Sequence, residues 1–174
     1  MNHISTYKAL FCLCGFMASG KSQLGLRLAR DFNDLVYLDT DQVLEDNVLG
    51  CSIPEFVRKN GMDGFRKLEG ELLTELTAKR DHIISLGGGS LNAENIVHIT
   101  GAAHLIWVNT PFSTCLDRIR QDQQTRPLSA LSDDDLQKLY LERVVFYSQA
   151  EFQIADPDSE YNFLHSFISD RINI

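Results

Sequence analysis

Residues 15–22 constrain the fold of this chain more than any other stretch. They have the sequence GFMASGKS and fit the phosphate-binding pattern G-x-x-x-x-G-K-[ST] at every fixed position. Such a loop needs a strand before it and a helix after it, because the N–H groups of the loop and of the helix N-terminus together bind the anion. The apolar run 9–14 and the leucine-rich stretch 23–30 provide both. We therefore predict a site for nucleotide phosphates; the alternative is a glycine-rich turn with an incidental lysine.

Short apolar runs recur along the whole chain, with helical stretches between them. This alternation is typical of an α/β domain with a mostly parallel sheet that carries helices on both faces. A chain of 174 residues is the size of one domain, so we expect a single domain over residues 1–174. In sheets of this kind, ligands bind where the strands end. The predicted strands are residues 9–14, 35–38, 82–86, 103–108 and 151–155.

The charge and cysteine content exclude several classes of partner. With 16 basic and 24 acidic side chains, the net charge is −8, and such a chain has no general field that attracts nucleic acid or anionic membranes. No apolar run approaches a membrane span of about 18 residues, so we expect a cytoplasmic protein with no membrane partner. The four cysteines are too few and too scattered for a disulfide framework. Cys12 and Cys14 are expected to pack in the core rather than to form half of a metal site.

Two carboxylates follow the second predicted strand, in the pattern Asp39-Thr40-Asp41. One interpretation is that Thr40 or Asp41 caps the helix predicted over residues 42–48. Capping accounts for one of these side chains but not for two acids beside a phosphate loop. Carboxylates there would repel a nucleotide unless a cation or a proton transfer involves them, so we favour a functional role.

Three consecutive glycines, Gly87, Gly88 and Gly89, follow the third predicted strand. Without side chains, this segment allows another molecule to lie directly against the main chain. A flexible turn is the alternative interpretation. Because the glycines fall at the same sheet edge as the phosphate loop, we predict that they line a ligand pocket.

Three separate arginines are candidate anion ligands in this acidic chain. Arg66 lies three residues before Glu69 on a predicted helix, where the two are expected to pair on the surface. Arg143 lies four residues before Tyr147, and an arginine packed over the tyrosine ring is the alternative there. Arg126 lies in a polar interval, about residues 121–132, that we predict to be a mobile lid whose closure brings the guanidinium to the phosphates.

Six motifs in one order resemble the shikimate kinase family, which consists of P-loop kinases of the nucleoside-monophosphate-kinase type. The resemblance runs from about residue 9 to residue 150. Apart from the phosphate loop, each motif alone is weakly specific. The other five are the Asp-x-Asp pair, the G-x-x-x-F-R-x-x-E pattern of residues 61–69, the glycine triplet, Arg-Pro-Leu at residues 126–128 and Arg-x-x-x-Tyr at residues 143–147.

The resemblance implies a donor site for ATP and Mg²⁺. Lys21 would contact the β and γ phosphates, Ser22 would be a ligand of Mg²⁺, and Asp39 would hold the metal through water. Arg126 would be the lid arginine. The implied nucleotide-binding residues are Gly15, Ala18, Ser19, Gly20, Lys21, Ser22, Gln23 and Arg126. The family's adenine-stacking arginine has two candidates here, Arg118 and Arg120.

The resemblance also implies an acceptor site for shikimate. Asp41 would bind ring hydroxyls and act as the base for the attacking hydroxyl, so the implied catalytic residues are Lys21, Asp41 and Arg126. Arg66 and Arg143 would bind the carboxylate, which suits two planar guanidinium groups. Gly87, Gly88 and Gly89 would line the same pocket. The expected reaction is transfer of the γ-phosphate of ATP to the 3-hydroxyl of shikimate, by a monomer that serves aromatic amino acid biosynthesis.

This chain departs from the family at Ala18, where a second internal glycine is common, and at Ser129, where a leucine often follows Arg-Pro-Leu. One alternative function is a kinase for another small hydroxylated acid, such as gluconate. A second is a GTP-binding switch, which normally carries Asp-x-x-Gly and Asn-Lys-x-Asp motifs. The first motif is absent, and residues 78–81, with the sequence AKRD, lack the asparagine of the second.

Overall fold

The sheet has five strands, all parallel, in the order β2-β3-β1-β4-β5. The strands and their order are those of a computed structural model, which describes residues 9–121 and 131–172. Each predicted strand is confirmed, with ends that differ by at most one residue. The strands are β1 (Leu10–Cys14), β2 (Val36–Asp39), β3 (His82–Ser85), β4 (His104–Val108) and β5 (Phe152–Ile154).

Helices connect the strands and cover both faces of the sheet. They are α1 (Lys21–Asp31), α2 (Thr40–Val43), α3 (Ile53–Thr77), α4 (Ile96–Ala102), α5 (Phe112–Gln121), α6 (Asp133–Tyr147) and α7 (Tyr161–Ile172). A π-helical segment, Leu44–Leu49, continues α2. No helix in the described ranges is long and apolar enough to cross a membrane.

The central strand β1 delivers the phosphate loop. Its five residues are at most 1% exposed, as expected for a strand with helices on both faces. It pairs with β3, where Cys12 lies beside Ile84, and with β4, where Cys14 lies beside Trp107. The loop therefore starts between the ends of two neighbouring strands, at the edge where parallel sheets bind ligands.

Two hydrophobic layers enclose the sheet. Leu24 and Leu28 of α1 pack with Leu164 and Ile168 of α7 on one face. The other face is covered by α3, α4, α5 and α6, through residues such as Leu73, Ile99, Ile119 and Leu136. This arrangement confirms the predicted α/β fold, because each face of the sheet buries the apolar side of its own set of helices.

The cysteines of β1 belong to this core. Cys12 and Cys14 are buried free thiols in the layer under α3 to α6, and burial raises the pKa of Cys12 to about 12. Within the described ranges, no group of three or more His, Cys, Asp or Glu side chains could hold a metal ion. Because both side chains are buried among apolar residues, the structure agrees with the expectation that these cysteines serve packing.

Helix α3 bends at Gly61. Gly61 has φ 79° and ψ 167°, a conformation that glycine adopts without a steric penalty. The second part of α3 runs past the end of β3 and carries Arg66 and Glu69. The bend therefore sets the direction of the helix segment that faces the glycine triplet.

Candidate active site

A pocket of about 480 Å³ opens at the C-terminal ends of β1, β2 and β3. It lies where the sheet order places the phosphate loop beside the two carboxylates and the glycine triplet. The pocket is lined by Met17, Ala18, Gly20, Lys21, Ser22, Gln23, Asp39, Asp41, Leu86, Gly87, Gly88 and Arg118. The structure thus brings most of the predicted site residues to one cleft.

The backbone of the phosphate loop takes a conformation suited to an anion. Gly15 has φ 146°, and a Cβ there would lie 2.5 Å from the Val108 carbonyl oxygen, so only glycine fits. Gly20 has φ 97° and precedes α1 without a side-chain cap. The first N–H groups of the helix therefore stay available for a ligand. Ala18 has φ 59°, a left-handed conformation that is uncommon outside glycine.

Lys21 is folded back onto the loop that carries it. Its ammonium donates hydrogen bonds to the carbonyl oxygens of Gly15, at 2.9 Å, and Phe16, at 3.0 Å. The side chain is only 9% exposed, and burial lowers its pKa. The lysine is thus held at the floor of the pocket by neutral acceptors that a phosphate oxygen, being charged, would outcompete.

Ser22 and Asp39, which the family resemblance implies as the residues that hold Mg²⁺, lie side by side. The Ser22 hydroxyl donates to Asp39 Oδ2 at 2.8 Å, although the two residues lie on α1 and β2. Mg²⁺ prefers oxygen ligands and is usually held by one or two protein groups together with water and phosphate. This small set of hard oxygens beside the phosphate loop fits that ion.

Asp39 also caps α2, because its Oδ1 accepts the N–H of Asp41 at 3.1 Å. The alternative that Thr40 or Asp41 is the cap is therefore wrong. The hydroxyl of Thr40 instead accepts the N–H of Gly87 at 2.8 Å, and this links α2 to the glycine triplet. Asp41 is left with its carboxyl facing the pocket.

The carboxyl of Asp41 lies among other negative charges. Desolvation by the surrounding protein is the largest influence on it, and the charges of Asp39 and Glu69 act in the same direction, against a smaller opposing effect of Lys21. Together they raise the pKa of Asp41 to about 6. A carboxylate with such a pKa is a stronger base than a free aspartate and is still mostly ionised at neutral pH.

The glycine triplet provides space at a turn. None of its members has a positive φ, and Gly88 and Gly89 lie in a turn in which the N–H of Ser90 donates to the carbonyl oxygen of Gly87 at 3.0 Å. A Cβ on Gly87 would lie 2.5 Å from Asp41 Oδ1, and a Cβ on Gly88 would lie 3.3 Å from the backbone nitrogen of Met17. The strand end can therefore lie against both the phosphate loop and α2 only because side chains are absent.

The guanidinium groups of Arg66 and Arg143 converge on Gly89. A Cβ at Gly89 would lie 2.6 Å from Arg66 Nη2 and 2.8 Å from Arg143 Nη2. Arg143 Nη1 is buried and has no hydrogen-bond partner within residues 9–121 and 131–172. Burial also lowers the pKa of Arg143, and the charge of Arg66 contributes in the same direction. Two adjacent cations, one with an unsatisfied donor, form a site for a small anion.

Arg66 and Glu69 pair as predicted, but not on the surface. The side chain of Glu69 is 3% exposed, and its other oxygen accepts the Ser90 hydroxyl at 2.7 Å. Glu69 therefore fixes Arg66 against the segment that follows the triplet. Arg66 also borders a second pocket, of about 470 Å³, between α3 and residues 92–95.

Several residues of this region were not predicted from the sequence as part of the site. Thr40 and Ser90 carry no pattern that distinguishes them from ordinary polar residues beside a turn. For Tyr147 the sequence predicts at most a ring under Arg143. The two side chains share a hydrogen bond, Arg143 also lies 5.6 Å from the Phe16 ring centre, and the Tyr147 hydroxyl donates to the carbonyl oxygen of Gly88. The spacing between Arg143 and Tyr147 was the only available signal.

Of the two adenine candidates, Arg118 lies beside the phosphate loop. Its Nη1 donates to the Ala18 carbonyl oxygen at 2.9 Å, and the residue lines the pocket. Arg120 instead bonds Asp133 at 2.6 Å, at the start of α6. Arg126 and nearly all of the predicted lid, about residues 121–132, lie outside the described residues.

The fold and the site together define a class. A parallel sheet with a phosphate loop after its central strand, an oxygen pair for a cation and an adjoining anion site is the arrangement of a P-loop kinase for a small acceptor. Comparisons with known proteins narrow this class to one family. The family model for shikimate kinase matches residues 17–170, and the chain belongs to the shikimate kinase family.

Individual relatives agree with this assignment. The curated shikimate kinase of Aquifex aeolicus is 36% identical over 143 residues, which cover 82% of this chain and 83% of that protein. The shikimate kinase of Synechococcus elongatus is 36% identical over 151 residues, or 85% of this chain and 77% of that one. A solved structure of shikimate kinase from Acinetobacter baumannii in complex with shikimate has a TM-score of 0.84 at 27% identity. That match covers 95% of this chain and 96% of the other.

Proposed function

We propose that this chain transfers the γ-phosphate of ATP to the 3-hydroxyl of shikimate, giving shikimate 3-phosphate for aromatic amino acid biosynthesis. The observation that carries the proposal is the pair of guanidinium groups at Gly89, next to a carboxyl and a phosphate loop. Shikimate has a carboxylate and ring hydroxyls, so it matches both kinds of group. The Acinetobacter baumannii relative was solved in complex with shikimate, which supports the same acceptor.

On the donor side, the loop N–H groups and the N-terminus of α1 would bind the phosphates of ATP. Lys21 would exchange its bonds to the loop carbonyls for bonds to the β and γ phosphates. Ser22 and Asp39 would hold Mg²⁺, which would supply positive charge to the phosphate oxygens during transfer. Arg118 is our candidate for the adenine contact, since it already lies on the loop. Arg126 remains a prediction from the sequence.

On the acceptor side, Arg66 and Arg143 would bind the shikimate carboxylate through charge-assisted hydrogen bonds. The buried Nη1 of Arg143 supports this role, because an unsatisfied buried donor gains most from a charged acceptor. Gly87, Gly88 and Gly89 would let the ring lie against the main chain. The acceptor would then sit between a fixed cation pair and Asp41.

In the reaction, the 3-hydroxyl oxygen attacks the γ-phosphorus and the bond from that phosphorus to the β–γ bridging oxygen breaks, so ADP leaves. The hydroxyl proton passes to Asp41, whose pKa of about 6 leaves it ionised and basic at neutral pH. Lys21 would stabilise negative charge on the transferring phosphoryl group. The other side chains would contribute by positioning ATP and shikimate for the attack.

An assay of ADP release over a panel of hydroxy acids tests the acceptor. Shikimate should be turned over far faster than gluconate, because gluconate has no ring to hold its hydroxyls near Asp41 while both arginines bind its carboxylate. Equal or better turnover of gluconate would overturn the proposal. Preferential binding of GTP with no acceptor-dependent hydrolysis would instead indicate a nucleotide switch. We also propose that the enzyme acts as a cytoplasmic monomer, which size-exclusion chromatography would test for the oligomeric state.

A further inference from the structure

Asp39 receives a hydrogen bond that the proposed function does not use. Tyr37 lies two residues earlier on β2, and its hydroxyl donates to Asp39 Oδ2 at 3.2 Å. The same oxygen accepts the Ser22 hydroxyl at 2.8 Å. Because alternate residues of a strand share a face, Tyr37 and Asp39 point to the same side of the sheet. One carboxylate oxygen thus has two hydroxyl donors, from different elements.

The Tyr37 ring packs against helix α1 at a glycine. Its edge lies against Gly25, and a Cβ at that position would overlap ring atoms Cε2 and Cδ2. Glycine inside a helix is destabilising relative to alanine, yet α1 carries it under this ring. The position of the phenol is therefore fixed both by strand β2, which carries it, and by helix α1, which begins in the phosphate loop.

We propose that Tyr37 is a positioning residue that orients the Asp39 carboxylate toward a Mg²⁺ ion at Ser22. This inference rests on the metal site of the proposed function. A cation bound at Ser22 would take a lone pair of the serine oxygen and leave its O–H able to donate to Oδ2, so the phenol is a second donor to the same carboxylate oxygen. Burial raises the pKa of Tyr37, so the phenol stays protonated and remains a donor at neutral pH.

Donors of this kind hold a metal-binding group in one orientation, and their loss typically lowers metal affinity by about 10–100-fold. Tyr37→Phe removes the hydroxyl and keeps the ring packed against Gly25. The matched control is Tyr161→Phe, because the Tyr161 hydroxyl also donates to an aspartate, Asp31 Oδ2, at 2.6 Å. Asp31 ends α1, whereas Lys21 begins it, so the control removes the same chemical bond at the other end of the helix.

The test is a titration of Mn²⁺ into protein that is in excess over ADP, with the free ion measured by electron paramagnetic resonance. We expect roughly tenfold weaker Mn²⁺ binding in Tyr37→Phe, with ADP affinity in EDTA unchanged, and wild-type Mn²⁺ binding in Tyr161→Phe. In an Asp39→Asn background, Tyr37→Phe should have no additional effect, because the tyrosine acts through that carboxylate.

The outcomes separate the two proposals. Equal Mn²⁺ affinity in the wild type and Tyr37→Phe, or an equal loss in both tyrosine variants, would overturn the role of Tyr37 and leave the metal site standing. An additive effect in the Asp39→Asn background would do the same. A wild-type protein whose ADP complex binds no Mn²⁺ would overturn the metal site and, with it, the role of Tyr37.

Discussion

The two halves of the site differ in how well one buried cation of each half, Lys21 or Arg143, is satisfied before a ligand arrives. The donor half is residues 15–22 with Asp39, and the acceptor half is Asp41, Arg66, Gly87, Gly88, Gly89 and Arg143. In the donor half, Lys21 bonds two loop carbonyls and Ser22 bonds Asp39. In the acceptor half, Arg143 Nη1 finds no partner in the described part of the chain, and the pKa of Asp41 is raised.

This difference has an energetic consequence. A ligand of the donor half must replace hydrogen bonds that already exist, so part of each new interaction is offset. A ligand of the acceptor half satisfies Arg143 Nη1, a buried donor that has no partner in the described part of the chain, although Arg66 is already paired with Glu69. Changes to acceptor side chains should therefore have larger effects than equally conservative changes to the phosphate loop.

Asp41→Asn should have the largest effect of the variants considered. Asparagine keeps the shape of the side chain but cannot take the hydroxyl proton, and general base catalysis typically contributes about 10²–10⁴-fold to kcat. We expect a loss of kcat in that range with ADP affinity nearly unchanged, measured by steady-state kinetics and nucleotide titration. Turnover at the wild-type rate would remove Asp41 from the reaction.

The pH dependence follows from the same carboxyl. Its pKa in the folded protein is about 6, so kcat/KM for shikimate should fall as the pH drops below about 6 in a pH-rate profile. For stability, a carboxyl pKa raised by folding is favourable at low pH and loses that contribution as pH rises through about 6. Asp41→Asn should therefore melt higher than the wild type at pH 8, and this advantage should disappear near pH 4.

Arg143→Lys tests the cation pair at Gly89. A lysine keeps the charge but not the planar fork, and loss of one hydrogen bond to a charged group costs about 1.5–3 kcal/mol. The KM for shikimate should rise roughly 10–100-fold, with the KM for ATP unchanged. Arg171→Lys is the control, since Arg171 pairs with Glu151 between α7 and β5, away from the site. A rise in the KM for ATP instead would contradict the division into halves.

Thr40→Val tests the link between α2 and the glycine triplet. Valine has a similar shape but leaves the N–H of Gly87 without its hydroxyl acceptor. A shift of Gly87 relative to Asp41 would misplace the acceptor, so we expect the KM for shikimate to rise about tenfold, as for one lost neutral hydrogen bond. Thr40→Ser keeps the hydroxyl and should behave like the wild type. Equal effects of both variants on KM would argue against this link.

The donor half could be predicted from the sequence because it is nearly continuous. Residues 15–22 supply their own strand end, turn and helix start, so the local pattern already contains the geometry. The five strands were predictable for the same reason, since each is a short apolar run. The acceptor half brings together α2, α3, α6 and the end of β3. Spacing alone cannot show that Arg66 and Arg143 meet at Gly89, or that Glu69 is buried.

Hydrogen bonds of side-chain hydroxyl groups were the part of the site that was least predictable from the sequence. Thr40 and Ser90 act through hydrogen bonds to residues that are distant in sequence, and Tyr37 donates to Asp39 on its own strand. A serine, threonine or tyrosine in a sequence carries no sign of such a partner, because the bond depends on packing of the elements. The family resemblance named the side chains that would contact ligands, but not those that would hold them in place.

Ala18→Gly should have the smallest effect and lies in the donor half. Ala18 has φ 59°, and a non-glycine residue in the left-handed region costs about 1–2 kcal/mol. Glycine removes that cost but gains entropy in the unfolded chain, worth about 0.4–1 kcal/mol, so a net stabilisation of at most about 1 kcal/mol remains. In a thermal melt this corresponds to a rise of roughly 2–4 °C. ADP affinity should change little, because the loop already holds its anion-binding conformation with alanine. A lower melting temperature would mean that the Ala18 methyl group contributes packing that outweighs its backbone strain.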